Sequence, residues 1–509
     1  MDELEAVISR CRLKPFAHQL AGIQALVNKP TFALFDEMGV GKTKQVIDAA
    51  QVMFSRGIID RVIVVAPASV RDVWFDEELG ELYKHLWYDT HARITFFHSK
   101  QRGWEWGEGK KVLDWVITNY EFIRKGARLK ELLPLISEHT LLVLDESSSV
   151  KNYRALQSKA VIKLRKKCSR VVLLNGTPIT LHPGDMFSQG FIMDPDILEC
   201  RSYFHFKSKY AILGGWQARQ IVGWRNIEDI QSRFAPYVLR RLKTDCLDLP
   251  QKLESIPISV TLSNSTWDVY KEMRDEMVAW LSHTTVSVAP QAVVKALRLS
   301  QVTSGFLGGL QEAPPLDTEV DSQLYEPKDF SPLPPKEISK EKLDVLLQWF
   351  DTRLSEDPNI KLLIWCRFRP ELHRLGLALQ SRDIQLGFIH GGQNKSQRDY
   401  ALRLLDPRTT PIGPVVVIGT PASGSLGLNL TAAHTVVYVS NDYSLKTRLQ
   451  SEDRVHRPGQ THAVSYFDVI ANGPRGQKTI DHAVIKSLRK KEDLATMTTK
   501  AWISLLNDA

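Results

Sequence analysis

Short apolar runs rich in β-branched residues recur through the front half of the chain, at Thr31–Phe35, Arg61–Ala66, Trp115–Thr118, Leu141–Leu144 and Arg170–Leu174. Helix-length stretches of mixed polarity separate them. The back half repeats the grammar at Lys361–Cys366, Gln385–Ile389, Pro414–Ile418, Thr435–Val439 and Val464–Ile470. Runs this short and this uniformly apolar predict strands buried on both faces of a parallel sheet, with crossover helices between them. The fold class expected is therefore α/β, with two parallel-sheet lobes in series. Between the halves, Trp267–Leu281 and Gln291–Ser300 read as helices. The boundary is placed just after Arg240-Arg241-Leu242-Lys243, giving domains 1–248 and 249–509.

Composition sharpens this outline. Over 509 residues, 43% hydrophobic and 24% charged sit near the globular norm and exclude wholesale disorder or a disulfide miniprotein. The stretch 311–340 departs from the rest, with seven acids (Glu312, Asp317, Glu319, Asp321, Glu326, Asp329, Glu337) against Lys328, Lys336 and Lys340, and with six prolines. An exposed excursion is the expectation there, because prolines break helices and the apolar content is too low for a core. The chain as a whole carries +8, a mild excess that favours nucleic acid only weakly. Val415–Ser440, the most apolar stretch, is interrupted by Pro421, Asn429 and His434, so no membrane span is expected. The acidic start lacks a secretory pattern. Five cysteines without a Cys-x-x-Cys pair suggest a reducing compartment and no structural zinc.

Chemistry concentrates where strands are expected to end, as ligand sites of open parallel sheets do. Asp36-Glu37-Met38-Gly39-Val40-Gly41-Lys42-Thr43 follows the first strand and leads into a helix over Thr43–Met53. Glycines let backbone N–H groups converge on phosphate oxygens, Lys42 would neutralise the β- and γ-phosphates, and the Thr43 hydroxyl would hold Mg2+. The strict phosphate-loop pattern has glycine where Asp36 stands. Asp145-Glu146 closes the apolar run Leu141–Leu144. Two acids there imply a cation, with Asp145 holding Mg2+ and Glu146 orienting or deprotonating the attacking water. Arg454 and Arg457, three apart, share one face if the segment is helical. They then read either as donors to a phosphoryl transition state or as a charged surface helix.

Taken together, Asp36–Thr43, Asp145–Asn152, Leu173–Ile179, Tyr237–Pro250, Gly424–Ala433 and Gln450–Gln460 resemble the helicase motif series of superfamily two. The Arg-Arg-Leu-Lys, Gly-Leu-Asn-Leu-Thr-Ala-Ala and Asp-Arg-x-His-Arg-x-Gly-Gln segments resemble its Swi/Snf-type branch in particular. The match runs from about Leu13 to Ala495 in family order. The resemblance implies two tandem RecA-like lobes, an inter-lobe ATP cleft and a C-terminal helix packing back. It also implies ATP and Mg2+ as cofactors and double-stranded DNA, gripped by its phosphates, as the track. ATP would meet Phe16, Gln19 (the adenine reader), Glu37, Met38, Gly39, Val40, Gly41, Lys42, Thr43, Lys44, Gly427 and Gln450. Lys42, Asp145, Glu146, Arg454 and Arg457 would be catalytic, with Arg457 as the arginine finger.

DNA would meet Pro67, Ser69, Thr118, Tyr120, Lys151, Asn152, His390, Gly391 and Gly392. Ser148, Gly176, Thr177, Pro178 and Asn429 would couple nucleotide state to DNA grip. The family's usual histidine is Ser148 here, and Asn175 replaces a usual serine or threonine. Both keep a hydrogen-bonding side chain. A strand-separating helicase and a non-hydrolysing clamp are the alternative readings of the same motifs. Thr479–Thr496 reads as a helix with Ile480, Ala483, Val484, Ser487 and Leu488 inward, and Trp104, Trp106 and Trp115 read as packing residues. The short insertions suggest a minimal motor of the bacterial or phage-infected cytoplasm, or of the nucleus if the source is eukaryotic.

Overall fold

The computed structural model describes residues 8–68, 70–78, 80–99, 101–176, 183–215, 220–283, 289–308, 335–423 and 429–492. The chain divides between Asp248 and Leu249 into two compact units, the second running to Lys490.

In the first unit the strands are β1 (Thr31–Leu34), β2 (Arg61–Ala66), β3 (Ala92–Phe96), β4 (Arg102–Trp106), β5 (Leu113–Asn119), β6 (Thr140–Leu144), β7 (Arg170–Leu174), β8 (Ala211–Gly214), β9 (Gln220–Trp224) and β10 (Val238–Leu239). Eight of them form one sheet in the order β10-β1-β7-β6-β2-β5-β3-β4. All neighbours pair in parallel except β3 with β4. Side chains alternate between two cores, as a two-period strand requires. Ala33, Ile63, Val65, Leu142, Leu144, Val171 and Leu173 enter one core. Phe32, Leu34, Val62, Val64, Leu141, Val143, Val172 and Leu174 enter the other. β8 and β9 form a separate antiparallel hairpin.

The second unit holds β11 (Ile256–Thr261), β12 (Phe306–Leu307), β13 (Lys336–Glu337), β14 (Lys361–Trp365), β15 (Gln385–Ile389), β16 (Val415–Gly419), β17 (Thr435–Tyr438) and β18 (Ser465–Asn472). Its six-stranded sheet, β11-β18-β17-β14-β16-β15, is parallel throughout. Two helices, Asn264–His283 and Ala289–Thr303, follow β11. The acidic, proline-rich excursion expected at 311–340 is shorter at its end than the composition suggested. Residues 335–340 are part of the fold, where β13 pairs antiparallel with β12, and Arg374 donates to the carbonyls of Gly305 (3.1 Å) and Ser339 (3.0 Å). Residues 311–334 lie outside the described residues.

The final helix is described over 480–492. Ile480, Val484 and Leu488 enter a core with Leu262, Trp267 and Tyr270 of the same unit. Ala483, expected on the inward stripe, is exposed. Its small side chain has little apolar area to bury, and the i, i+4, i+8 row makes the contact together with partly buried Ile485. Among the described residues no helix is long and apolar enough to cross a membrane.

Candidate active site

Because β1, β7, β6 and β2 are neighbours and parallel, their carboxyl ends lie side by side. The segments after them are thereby brought together from four distant stretches of chain. After β1 the chain turns through Gly39 (φ 81°) and Gly41 (φ 83°), both left-handed, and enters the helix Lys42–Ser55. Gly41 caps that helix without a side-chain bond, so first-turn N–H groups remain available to an anion. A Cβ at Gly41 would also stand 2.2 Å from Gln19 Nε2. Buried Gln19 donates to the Val40 carbonyl (3.3 Å) and accepts from the Phe16 N–H (3.0 Å). A His18 ring nitrogen lies 3.0 Å from the same carbonyl. Phe16 is half exposed (52%) and stacks on His18 at 5.7 Å. The Lys42 ammonium donates to the carbonyls of Asp36 (2.7 Å) and Glu37 (2.9 Å), closing the loop on itself.

Asp36, the residue that breaks the strict loop pattern, is fully buried. Arg241 grips it with a fork, Nε to Oδ1 at 2.9 Å and Nη2 to Oδ2. The same guanidinium donates to the His18 carbonyl and to Gln45 Oε1 (2.9 Å). Gly22 makes room for this assembly, since a Cβ there would lie 1.8 Å from Gln45 Oε1. Arg240 donates to the carbonyls of Phe35 and Gly176 (2.8 Å). Burial presses its pKa down while Glu37 and Asp36 pull it back up. The Lys243 N–H donates to Glu37 (2.7 Å). The Arg-Arg-Leu-Lys segment therefore braces the loop from the edge strand β10, a structural role that its motif resemblance did not indicate.

Asp145 ends β6. Its Oδ1 accepts from the Glu146 N–H (2.9 Å) and its Oδ2 from the Trp74 indole (2.8 Å). Burial and the neighbouring Glu146 charge raise its pKa to about 6, against the lowering effects of Trp74 and Lys42. Two carboxyls packed so closely call for a cation, and the pair suits Mg2+, which takes few protein ligands and keeps water and phosphate for the rest. Glu146 sits at φ 51°, strained for a residue with a side chain. Ser147 anchors the segment by donating to Gln189 (2.8 Å), which leaves Ser148 half buried in the following turn.

Several expected contacts are placed differently. Lys44 turns inward and pairs with Asp48 at 2.7 Å, both buried, so its charge is committed away from the loop. Thr118 is fully buried at the end of β5, and Tyr120 is buried with its hydroxyl donating to the Asp145 carbonyl (2.9 Å). Both side chains are thus packed inside the unit, Tyr120 against the end of β6. Pro67 is half buried at the end of β2, Lys151 lies 4.0 Å from Asp185, and Asn152 is exposed. Gly176 is buried against Met38. Ser69, Thr177, Pro178 and Gly427 lie outside the described residues. Trp115 is fully buried, and Trp104 and Trp106 donate to the carbonyls of Phe75 (2.8 Å) and Trp87 (2.9 Å), as packing residues do.

In the second unit, Gln450 lies on the helix Leu445–Glu452. Arg454 and Arg457 were expected to share a helical face if the segment is helical. They instead occupy turns beyond Glu452, because Pro458 disfavours helix at Arg457 and Gly459 is left-handed (φ 101°). The Arg454 carbonyl accepts from Leu430 N–H (3.0 Å), joining the segment to Asn429, whose Oδ1 accepts from Thr431 (3.1 Å). The anchor of the whole segment is Arg448, paired with Glu452 (2.6 Å) and Asp468 (2.6 Å) and lying 3.5 Å over the Tyr438 ring. Sequence reasoning missed it, although an Arg–Glu pair at i, i+4 was available as a signal. His390 follows β15, accepts from the Gly392 N–H (3.2 Å) and faces His373. Burial, His373 and Arg369 lower its pKa. Gly391 and Gly392 are exposed.

The profile of the SNF2-related domain matches residues 18–304, more than half of the chain. The chain belongs to the SNF2-related family. A helicase conserved C-terminal domain matches residues 341–459. Among curated relatives, the SNF2 domain-containing protein ENL1 of Oryza sativa subsp. japonica is 24% identical over 492 residues, covering 89% of this chain and 48% of its own. The ISWI chromatin-remodeling complex ATPase ISW1 of Saccharomyces cerevisiae is 24% identical over 519 residues (95% and 42%). Human chromodomain-helicase-DNA-binding protein 8 is 27% identical over 504 residues (94% and 18%). The chain thus spans less than half the length of each of these three. Among solved structures, the Sulfolobus solfataricus SWI2/SNF2 ATPase core in complex with dsDNA is 22% identical, with a TM-score of 0.40, covering 91% of this chain and 89% of that one.

Proposed function

We propose that this SNF2-family chain is an ATP-hydrolysing motor that binds double-stranded DNA and translocates along it. One observation carries the reading: the glycine loop with Lys42 and the half-buried Asp145–Glu146 pair follow nearby strands of one parallel sheet. Backbone N–H groups at the start of the helix Lys42–Ser55 and the Lys42 ammonium bind the phosphates, exchanging the carbonyls of Asp36 and Glu37 for phosphate oxygens. Phe16 and Gln19 take the base. Thr43 and Asp145 hold Mg2+, which supplies charge neutralisation on the phosphates. Glu146 orients the attacking water and accepts its proton. Arg454 and Arg457 donate to the charge that develops on the transferred phosphoryl group.

Duplex DNA is favoured as the track because relatives covering most of this chain are named as chromatin-remodelling ATPases and DNA-binding proteins. Exposed Asn152, Gly391 and Gly392 and half-exposed Lys151 offer phosphate-level contacts that need no base sequence. The test is ATP turnover with duplex DNA, single-stranded DNA and RNA, for the wild type and for Lys42→Ala. Stimulation is expected to be greatest with duplex DNA and to vanish in Lys42→Ala. Greater stimulation by single strands or RNA would favour a strand-separating helicase. Equal background rates for both proteins with DNA present would favour a non-hydrolysing clamp.

A further inference from the structure

Residues 11–16, between a short helical stretch at 8–10 and the helix Ala17–Asn28, have no regular secondary structure. Leu13 and Phe16 in this strap are more than half exposed (53% and 52%), so apolar burial does little to fix its path. Arg12 does. Its guanidinium carbon lies 4.7 Å from the Trp106 ring centroid, 5.0 Å from Tyr88 and 5.4 Å from Tyr83, and one Nη donates to the Tyr83 carbonyl. The rings brace one another, with Tyr83 edge-on to Trp106 at 5.7 Å and Tyr88 tilted against it at 6.4 Å. Trp106 is held by its indole bond to the Trp87 carbonyl. Arg10 repeats the device, lying 4.3 Å over Trp87 and pairing with Asp89 at 2.8 Å. Three π-faces and a carbonyl around one guanidinium form a cation cage. Tyr88 is 74% exposed, so the cage stands at the surface, outside the core.

Phe16, four residues beyond Arg12, and Gln19 begin the network that grips the Val40 carbonyl of the phosphate loop. Pro15 stiffens the link. We propose that Arg12 is a positioning residue for nucleotide binding, its seat in the Tyr83–Tyr88–Trp106 cage fixing the strap so that Phe16 and Gln19 meet the base. The inference rests on the reading of that site as the ATP site.

The test compares Arg12→Ala, Arg12→Lys and Gln19→Ala by KM and kcat for ATP at saturating duplex DNA, by preference for ATP over GTP, and by thermal unfolding. Arg12→Ala is expected to raise KM roughly tenfold and erode the base preference, with kcat within about twofold and an unchanged melting temperature. Arg12→Lys, which keeps the cation in the cage, is expected to restore most of both. If Gln19→Ala shifts KM and base preference while Arg12→Ala shifts neither, the positioning role is wrong. It is also wrong if Arg12→Ala lowers kcat and melting temperature along with affinity and lysine does not rescue. If Gln19→Ala leaves KM and base preference untouched, the nucleotide-site reading itself has failed.

Discussion

Asp36→Gly would restore the strict phosphate-loop pattern, and on motif logic alone it should be harmless or beneficial. The structure argues the reverse. Asp36 is fully buried, and Arg241, whose side chain is 15% exposed, reaches it with a two-pronged charged contact. Deleting the carboxylate leaves a largely desolvated guanidinium with only the His18 carbonyl and Gln45 Oε1 as partners. Breaking a buried pair by removing one partner costs about 3–5 kcal/mol. The two remaining acceptors and the residual exposure place this case near the lower end, about 3 kcal/mol. In a unit of this size that corresponds to a fall in melting temperature of roughly 6–12 °C.

The assay is calorimetry on the wild type, Asp36→Gly, Arg241→Met and the double variant, following the transition that ATP shifts so that the first unit is read separately. The double variant should be less damaged than the sum of the singles, by more than about 1 kcal/mol, because methionine leaves no orphaned charge. A melting temperature for Asp36→Gly within about 2 °C of the wild type, or single effects that simply add, would refute the reasoning.

Glu146→Gln is expected to bind ATP and duplex DNA with near-native affinity but to lose turnover by at least about a hundredfold, since the amide cannot accept a proton; loss of ATP binding in a filter or fluorescence assay would contradict its role. Arg457→Ala should lower kcat by about 10³-fold or more with little change in ATP affinity, as removal of a transition-state donor does, and an effect confined to KM would remove it from that role. Acid stability should depend on Glu452. Burial alone would raise its pKa, but Lys252 and Arg448 outweigh that and bring it from 4.5 to about 2. A depressed carboxyl pKa stabilises above its unfolded value and loses that contribution as pH falls from about 4.5 towards 2, on the order of 3 kcal/mol in all. The urea midpoint of the wild type should therefore exceed that of Glu452→Gln near pH 6 and approach it near pH 3; a gap independent of pH would count against the pairing.

The strands that proved easiest to read are those buried on both faces. Arg61–Ala66 and Arg170–Leu174 have the bounds that the apolar runs suggested. Two strands at the margins, β4 and β11, were silent for a physical reason. β4, Arg-Gly-Trp-Glu-Trp, is an edge strand whose exposed Arg102, Gly103 and Glu105 leave no continuous apolar run. β11 is exposed at alternate positions and begins Ile-Pro, which reads as a linker. The condition of a helix at Arg454 and Arg457 could have been settled beforehand, because Pro458-Gly459 is a stop signal in the sequence itself.

The active site divides along a similar line. Lys42, Thr43, Asp145 and Glu146 could be picked out as candidates because a phosphate and a metal would impose their geometry within a few consecutive residues, so the requirement is written locally. Asp36 looked like a defect because its justification, Arg241, is 205 positions away along the chain and becomes adjacent only when β10 pairs with β1. Tyr120 and Lys44 were assigned to ligands for the complementary reason: both lie beside motif residues in sequence, yet the side chains turn inward to the Asp145 carbonyl and to Asp48. A local pattern thus points to the groups proposed to meet the substrate, whereas the charges that hold those groups in place are set by strand order. A substitution that improves the motif can therefore weaken the site, and Asp36→Gly separates the two effects most cleanly because it changes the support and leaves every proposed phosphate donor in place.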